Sequence, residues 1–416
     1  MNVLVIGFGK SGQSACALLK AQGHDVVTVD QDPKLGLCQD IVIGDFDFVV
    51  VSPGVLPTDR WYVEAKRADL EILGEAELAL REAKQPCVAI TGTNGKTSVT
   101  LLIEHVLKSA GKKARALGNV GDPLAAYFLK PDLEEIIVAE ISSYQLETMT
   151  SQVFDAAIIL NVTPDHLDRY GSMQEYALAK FRLQSCMKKE APFYVNIELL
   201  REYKHLLRGD YQTYGSDSGA FLWTDKCVVK ELEKIAYFLP MAYREMGKHE
   251  SENAVAAWAI CRYFGVTSEQ FLQALESFQK PAHRIEFVAT IGGVSYYDDS
   301  KGTNIDATVH AIDSMAGPVI LIAGGVDKGS SYAPWKKFQG KVRKIIVMGQ
   351  AAQKIHHELH ASFSVEIVSD MEKAVAAAKK SAGPGDAVLL SPGCSSFDMF
   401  RDYAHRGEEF KRRVKE

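Results

Sequence analysis

The chain has 416 residues, more than one hydrophobic core usually serves, so several domains are expected, and the pattern below favours three. Hydrophobic residues make up 47% and charged residues 24%, which excludes a disordered chain. The net charge of −6, from 53 acidic and 47 basic residues well mixed along the chain, excludes a basic face for nucleic acid. Nowhere do about 18 apolar residues follow one another, and the chain enters a strand-like run at once without a basic leader. A cytoplasmic protein with no membrane partner is therefore expected. The seven cysteines, Cys16, Cys38, Cys87, Cys186, Cys227, Cys261 and Cys394, are scattered singly and read as reduced structural residues. Asn161-Val162-Thr163 matches a glycosylation sequon, which a cytoplasmic chain would never use.

In chain order, apolar runs alternate with helical periods, the signature of parallel sheets with crossover helices. A first series holds strands over Asn2–Ile6, Asp25–Asp30 and Phe48–Val51, with helices near Ser14–Gln22 and Glu75–Lys84. A second starts with the strand Cys87–Thr91 and continues through the apolar runs Ile136–Ile141 and Ala156–Leu160, with helices over Met173–Met187 and Glu252–Phe264. After a break at Lys280-Pro281, a third carries strands at Val319–Ala323, Lys344–Met348 and Ala387–Leu390 and a charged final helix. The prediction is an α/β chain of three domains: a Rossmann-like 1–80, a central phosphate-loop domain 81–280 with a mainly parallel sheet, and a Rossmann-like 281–416.

The strongest local signal is Gly92-Thr93-Asn94-Gly95-Lys96-Thr97, set between a buried-type strand and a helix starting near Ser98. Glycines there let backbone N–H groups turn onto phosphates, Lys96 can reach the terminal phosphates and the Thr97 hydroxyl can bind Mg²⁺. The loop departs from the common pattern because Ile90 stands where its first glycine belongs. Gly7-Phe8-Gly9-Lys10-Ser11-Gly12 matches a dinucleotide fingerprint, with Asp30 placed to accept a ribose hydroxyl. On residues alone this turn fits NAD or another diphosphate-linked ligand. Glu140 and Asp165-His166 fall at carboxyl ends of strands, where a parallel sheet holds its ligands. The plainer alternative is a helix cap for Asp165 and a satisfied surface histidine. Lys180, within Ala177-Leu178-Ala179-Lys180-Phe181, would by itself pass for a snorkelling surface lysine.

Together, Gly92–Thr97, Asp165-His166 and Asp299-Ser300-Lys301 resemble the Mur ligase family over nearly the whole chain. Gly118-Asn119-Val120-Gly121, the stretch Glu140–Thr148, Asp165–Tyr170 and Leu390–Asp398 narrow the resemblance to the branch that handles D-glutamate. It implies an ATP-dependent ligase of cell-wall precursor synthesis that joins D-glutamate to UDP-N-acetylmuramoyl-L-alanine through an acyl phosphate. By this resemblance the Gly7–Gly12 turn cradles uridine diphosphate rather than NAD, with Ser11 and Asp30 as contacts. Gly92, Thr93, Asn94, Gly95, Lys96, Thr97 and Ser98 would hold the phosphates of ATP, and Asn253, His283, Arg284 and Asp299 its remaining parts. Asn119, Ser142 and Gln145 would hold the muramoyl peptide. Lys301, Thr303, Lys328, Ser396, Phe397 and Tyr403 would hold D-glutamate.

Two Mg²⁺ ions are implied, one on Thr97 and Glu140 and one on His166 and a carbamylated Lys180. Only about one lysine amine in two thousand is neutral at pH 7, so such a carbamate needs a depressed pKa or capture by metal. The implied catalytic set is thus Lys96, Glu140, His166 and Lys180, in a monomer whose third domain closes on the second. Two departures stand out. Phe397 replaces a smaller aliphatic residue, and Glu250 replaces an asparagine, whose amide could donate to an adenine ring nitrogen where a carboxylate cannot.

Overall fold

The computed structural model describes residues 1–32, 35, 41–224, 228–231, 234–240 and 248–416. Cys38 and Cys227 lie outside them, and the five other cysteines are free and buried. The chain forms two compact units, one of Met1–Val162 with Gln174–Phe278, the other of Thr163–Met173 with Gln279–Glu416.

The first unit opens with a parallel sheet of β1 (Asn2–Ile6), β2 (Asp25–Val29), β3 (Phe48–Val51) and β4 (Glu71–Gly74) in the order β2-β1-β3-β4. The order reverses beside β1, and ligands favour the crevice at such a switch point. The helix Lys10–Ala21 follows β1 at once. Its first turn was not expected, because Gly12 has poor helix propensity. Yet Gly12 is required: a Cβ there would lie 1.9 Å from the Gly7 carbonyl oxygen.

The second sheet contains β5 (Cys87–Thr91), β6 (Ala114–Gly118), β7 (Ile136–Glu140), β8 (Ala156–Ile159), β9 (Phe193–Asn196), β10 (Gln212–Gly215), β11 (Leu222–Thr224), β12 (Val228–Glu231) and β13 (Lys234–Phe238). Their order is β13-β12-β11-β10-β9-β8-β5-β7-β6, parallel except for the β11-β12-β13 edge. The strand β5 is fully buried, as its unbroken apolar run requires. Helix Lys96–Ser109 buries Val99, Leu102, Ile103, Val106 and Leu107, the spacing of one helical face, against Val88 and Ile90 of β5 and Trp258 of helix Lys248–Tyr263.

In the second unit, β14 (Glu286–Ile291), β15 (Val294–Asp298), β16 (Val319–Gly324), β17 (Val342–Met348), β18 (Val365–Ile367) and β19 (Ala387–Leu390) form a sheet in the order β14-β15-β19-β16-β17-β18. Only the β14-β15 hairpin is antiparallel. Alternate residues feed two cores: Leu321, Ile345 and Val347 on one face, Ile320, Ile322 and Ile346 on the other.

Some element ends differ from expectation. The helix expected over Met173–Met187 stops at Phe181 and tightens into a 3₁₀ turn at Arg182–Cys186. That expected over Glu75–Lys84 ends at Leu80.

Candidate functional site

The phosphate loop turns between β5 and helix Lys96–Ser109, with Gly95 as its N-terminal cap at φ +84°. A side chain there would strain the backbone and put a Cβ 2.8 Å from Asn253 Oδ1, so Asn253 lies against the loop. Asn161 stitches the loop. Its Oδ1 accepts from Thr93 N at 3.0 Å and Asn94 N at 2.8 Å, and its Nδ2 donates to Asn94 O at 3.0 Å. Lys96 Nζ folds back to donate to Gly92 O at 2.9 Å and Thr93 O at 2.8 Å. Thr97 is buried, and Ser98 continues the first helical turn.

Lys180 is 1% exposed, which overturns the snorkelling alternative. Its Nζ donates to Gly92 O at 2.8 Å and lies 4.4 Å from the centre of the Tyr176 ring, whose hydroxyl accepts from Thr93 Oγ1 at 3.2 Å. Two lysines thus converge on one carbonyl of the phosphate loop. Glu140 ends β7 and is 1% exposed. Its Oε1 accepts from Asn119 Nδ2 at 2.8 Å, while Oε2 is buried without a hydrogen-bond partner among the described residues. A buried carboxylate oxygen left this way fits a hard cation, so the residues present suit Mg²⁺. Ser142 and Gln145 form a reciprocal capping box on the short helix Ser143–Leu146.

A cavity of about 510 Å³ is lined by the Gly7–Ser11 turn, Asp30, the Ser52–Leu56 turn after β3, Trp61, Gly118 and Asn119 at the end of β6, and Gln145 of the short helix. Ser11 and Asp30 share this cavity with Asn119 and Gln145. Asp30 also braces the turn, accepting from Phe8 N at 2.5 Å and Asp32 N at 2.8 Å. The Ser52–Leu56 wall was not foreseen, although a Pro-Gly turn at the carboxyl end of a strand is a signal for one.

In the second unit, His166 adopts φ +56°. Asp165 caps no helix; it is 5% exposed and accepts from Lys328 Nζ at 3.0 Å and Asn304 Nδ2 at 3.2 Å. Burial opposes its ionisation, but the charges of Lys328 and His166 outweigh it and hold the carboxyl below its ordinary pKa. Lys328, expected at the glutamate pocket, is thus engaged with the segment carrying His166. Ser396 is buried, whereas Phe397 is 74% exposed. Lys301 Nζ lies 5.1 Å from the Tyr403 ring centre, and Thr303 follows in the same turn.

His283 Nδ1 pairs with Asp298 Oδ2 at 2.6 Å. Asp299 accepts from Ser391 Oγ at 2.7 Å; burial pushes its carboxyl up to about 7, against that hydroxyl and the charge of Arg284. Arg284 Nε is buried without a hydrogen-bond partner among the described residues. His283, Glu286 and Asp298 bring ligand atoms within 4.8 Å of one another. Lys411 Nζ stands 2.8 Å from Glu286 and 3.8 Å from Asp298, so the cluster already has its cation.

Arg406, which the sequence did not single out, is fully buried and binds Ser300 O at 2.8 Å, Ser300 Oγ at 2.9 Å and Cys394 O at 3.1 Å. It ties the turn bearing Lys301 to the turn bearing Ser396.

Two family models match: the Mur ligase middle domain over residues 90–261, and the Mur ligase glutamate ligase domain over 283–394. The chain is 48% identical to the UDP-N-acetylmuramoylalanine--D-glutamate ligase of Protochlamydia amoebophila, covering 100% of this chain and 98% of that one. It is 38% identical to the enzyme of the same name from Caldanaerobacter subterraneus, covering 99% and 98%. Among solved structures, UDP-N-acetylmuramate-alanine ligase MurC from Thermotoga maritima matches with a TM-score of 0.65 at 20% identity, covering 100% of this chain and 99% of that chain. MurF ligase from the same organism, in complex with ADP, matches at 0.61 and 15%, covering 99% and 95%. These two likenesses concern the fold.

Proposed function

The chain belongs to the Mur ligase family, and on that footing we propose that it joins D-glutamate to UDP-N-acetylmuramoyl-L-alanine, converting ATP to ADP and phosphate. The observation that carries this is the 48% identity to a D-glutamate ligase along the whole chain. No helix among the described residues is long and apolar enough to cross a membrane, which accords with a cytoplasmic enzyme. We take it to act as a monomer, with sugar-nucleotide, ATP and amino-acid functions on 1–80, 81–280 and 281–416.

The L-alanine carboxylate attacks the γ-phosphorus in line, ADP leaves, and the D-glutamate amine then attacks the acyl carbon and expels phosphate. Lys96, drawn off Gly92 O and Thr93 O by the triphosphate, neutralises charge that grows during transfer. Within Gly92–Ser98, backbone N–H groups other than those of Thr93 and Asn94, which the Asn161 brace holds, receive the phosphates, a role the brace supports by fixing the loop beforehand. Asn253 takes the nucleoside side, with His283, Arg284 and Asp299. Asn119, Ser142 and Gln145 orient the muramoyl peptide. Lys328 and Ser396 take the side-chain carboxylate of D-glutamate, and Lys301, Thr303, Phe397 and Tyr403 complete that pocket. Thr97 and Glu140 would hold one Mg²⁺, and His166 with a carbamate on Lys180 a second; bound there, the ions would offset phosphate charge. What supports a role for Lys180 is its burial against the phosphate loop, where its Nζ meets Gly92 O.

The test is phosphate release from ATP. It should require both UDP-N-acetylmuramoyl-L-alanine and D-glutamate, and release that proceeds equally with L-alanine or without the sugar nucleotide would reject the function.

A further inference from the structure

We propose that Lys10 is the counter-charge for the diphosphate of the sugar nucleotide and selects for it, an inference that rests on taking the cavity at the Gly7–Gly12 turn as the sugar-nucleotide site. Among the described residues that line the cavity, Lys10 is the one cation, beside the carboxylates of Asp30 and Asp59. Both carboxylates already accept hydrogen bonds, Asp59 Oδ2 from Gln31 Nε2 at 2.8 Å among them. Asp30 accepts from Phe8 N and Asp32 N, and Asp59 caps its helix by accepting from Trp61 N and Tyr62 N. A doubly charged diphosphate entering the cavity thus meets a single lysine and the start of helix Lys10–Ala21. That helix has no side-chain cap and no acid in its first turn, so its N-terminal N–H groups are left to an anion.

The position of the side chain is the second observation. Lys10 Nζ donates to Gly121 O at 3.1 Å and lies 3.7 Å from Asp122 Oδ1, in the loop following the cavity residues Gly118 and Asn119. It therefore reaches from one cavity wall to the loop of the other. Lys10 and Asp122 are 70% and 71% exposed, and an ion pair so solvated holds weakly. A diphosphate offers more charge and more acceptor oxygens, so Lys10 exchanges Asp122 for it with little loss. Asp122 is then a competitor, present when the cavity is empty and released when it fills.

The experiment is calorimetric titration of the full-length protein with UDP and with uridine, for the wild type, Lys10→Ala, Lys10→Arg and Asp122→Asn. Lys10→Ala should weaken UDP binding by about tenfold and leave uridine unchanged, since a charge-assisted contact to phosphate is lost. Lys10→Arg should keep most of the affinity, and Asp122→Asn should tighten UDP by about twofold. The gap between wild type and Lys10→Ala should narrow between about 50 and 500 mM salt. If the wild type prefers UDP to uridine but Lys10→Ala binds UDP equally well, or loses both ligands alike, the role of Lys10 is overturned. If the wild type binds UDP no better than uridine, the cavity reading itself falls and takes the inference with it.

Discussion

Replacing Asn161 with alanine should cripple the use of ATP without touching the sugar-nucleotide cavity. The amide makes three hydrogen bonds to the phosphate loop, accepting from Thr93 N and Asn94 N and donating to Asn94 O. At about 1 kcal/mol net each, their loss comes to about 3 kcal/mol. Thr93 N keeps a bond to the Asn161 main-chain oxygen at 3.0 Å, so about 2 kcal/mol is the better figure. ATP would then have to organise a loop the wild type presents ready-made, and kcat/KM for ATP should fall about 30-fold. Steady-state kinetics with saturating co-substrates measures this, with UDP titration as the control for the other cavity. A variant with wild-type kcat/KM for ATP, or one whose UDP affinity falls in parallel, would refute the reasoning.

Lys328→Ala should raise KM for D-glutamate by about tenfold or more with little change in KM for ATP, and equal effects on both would count against the pocket. It should also lower thermal stability, because Asp165 is left buried with Asn304 and without its cation. For Lys180, the carbamate reading expects Lys180→Arg to be as inactive as Lys180→Ala, and millimolar acetate to restore part of the activity of the alanine variant; rescue by methylamine instead would show a need for positive charge. Burial pushes the Glu75 carboxyl up to about 7 against the Ala125 N–H, so the folded state holds that proton more tightly than the unfolded chain does. Its contribution is full below about pH 4.5 and is lost as pH rises through about 7, by up to about 3 kcal/mol. Glu75→Gln should therefore raise the melting temperature at pH 8 and leave it unchanged near pH 4, and a gap independent of pH would discard this account.

The phosphate loop was legible because its chemistry is local: a strand, a glycine turn and a helix follow one another in the chain. Glu140 was legible from its place at a strand end. The residues that were missed act at a distance. Asn161, noted only as an unused sequon, works on Asn94, 67 residues earlier, and Arg406 works on Ser300 across 106 residues. Lys180 was half legible: nothing local told which side of its helix would be covered, and the family resemblance supplied what periodicity lacked. The strands β9 to β13 escaped notice because they are short and several alternate with polar residues, too little signal to separate from loop.

The segment Thr163–Met173 belongs to the second unit although the chain on both sides of it belongs to the first. On the ribosome this sets an order of events. Asp165 emerges 139 residues ahead of Asn304 and 163 ahead of Lys328, the partners that bury it. At typical rates of translation that is a wait on the order of ten to thirty seconds. Through it the nascent first unit must carry an ionised loop in water. Aspartate and histidine tolerate that interval better than an apolar anchor would, since an apolar loop of the same length would be an invitation to aggregate.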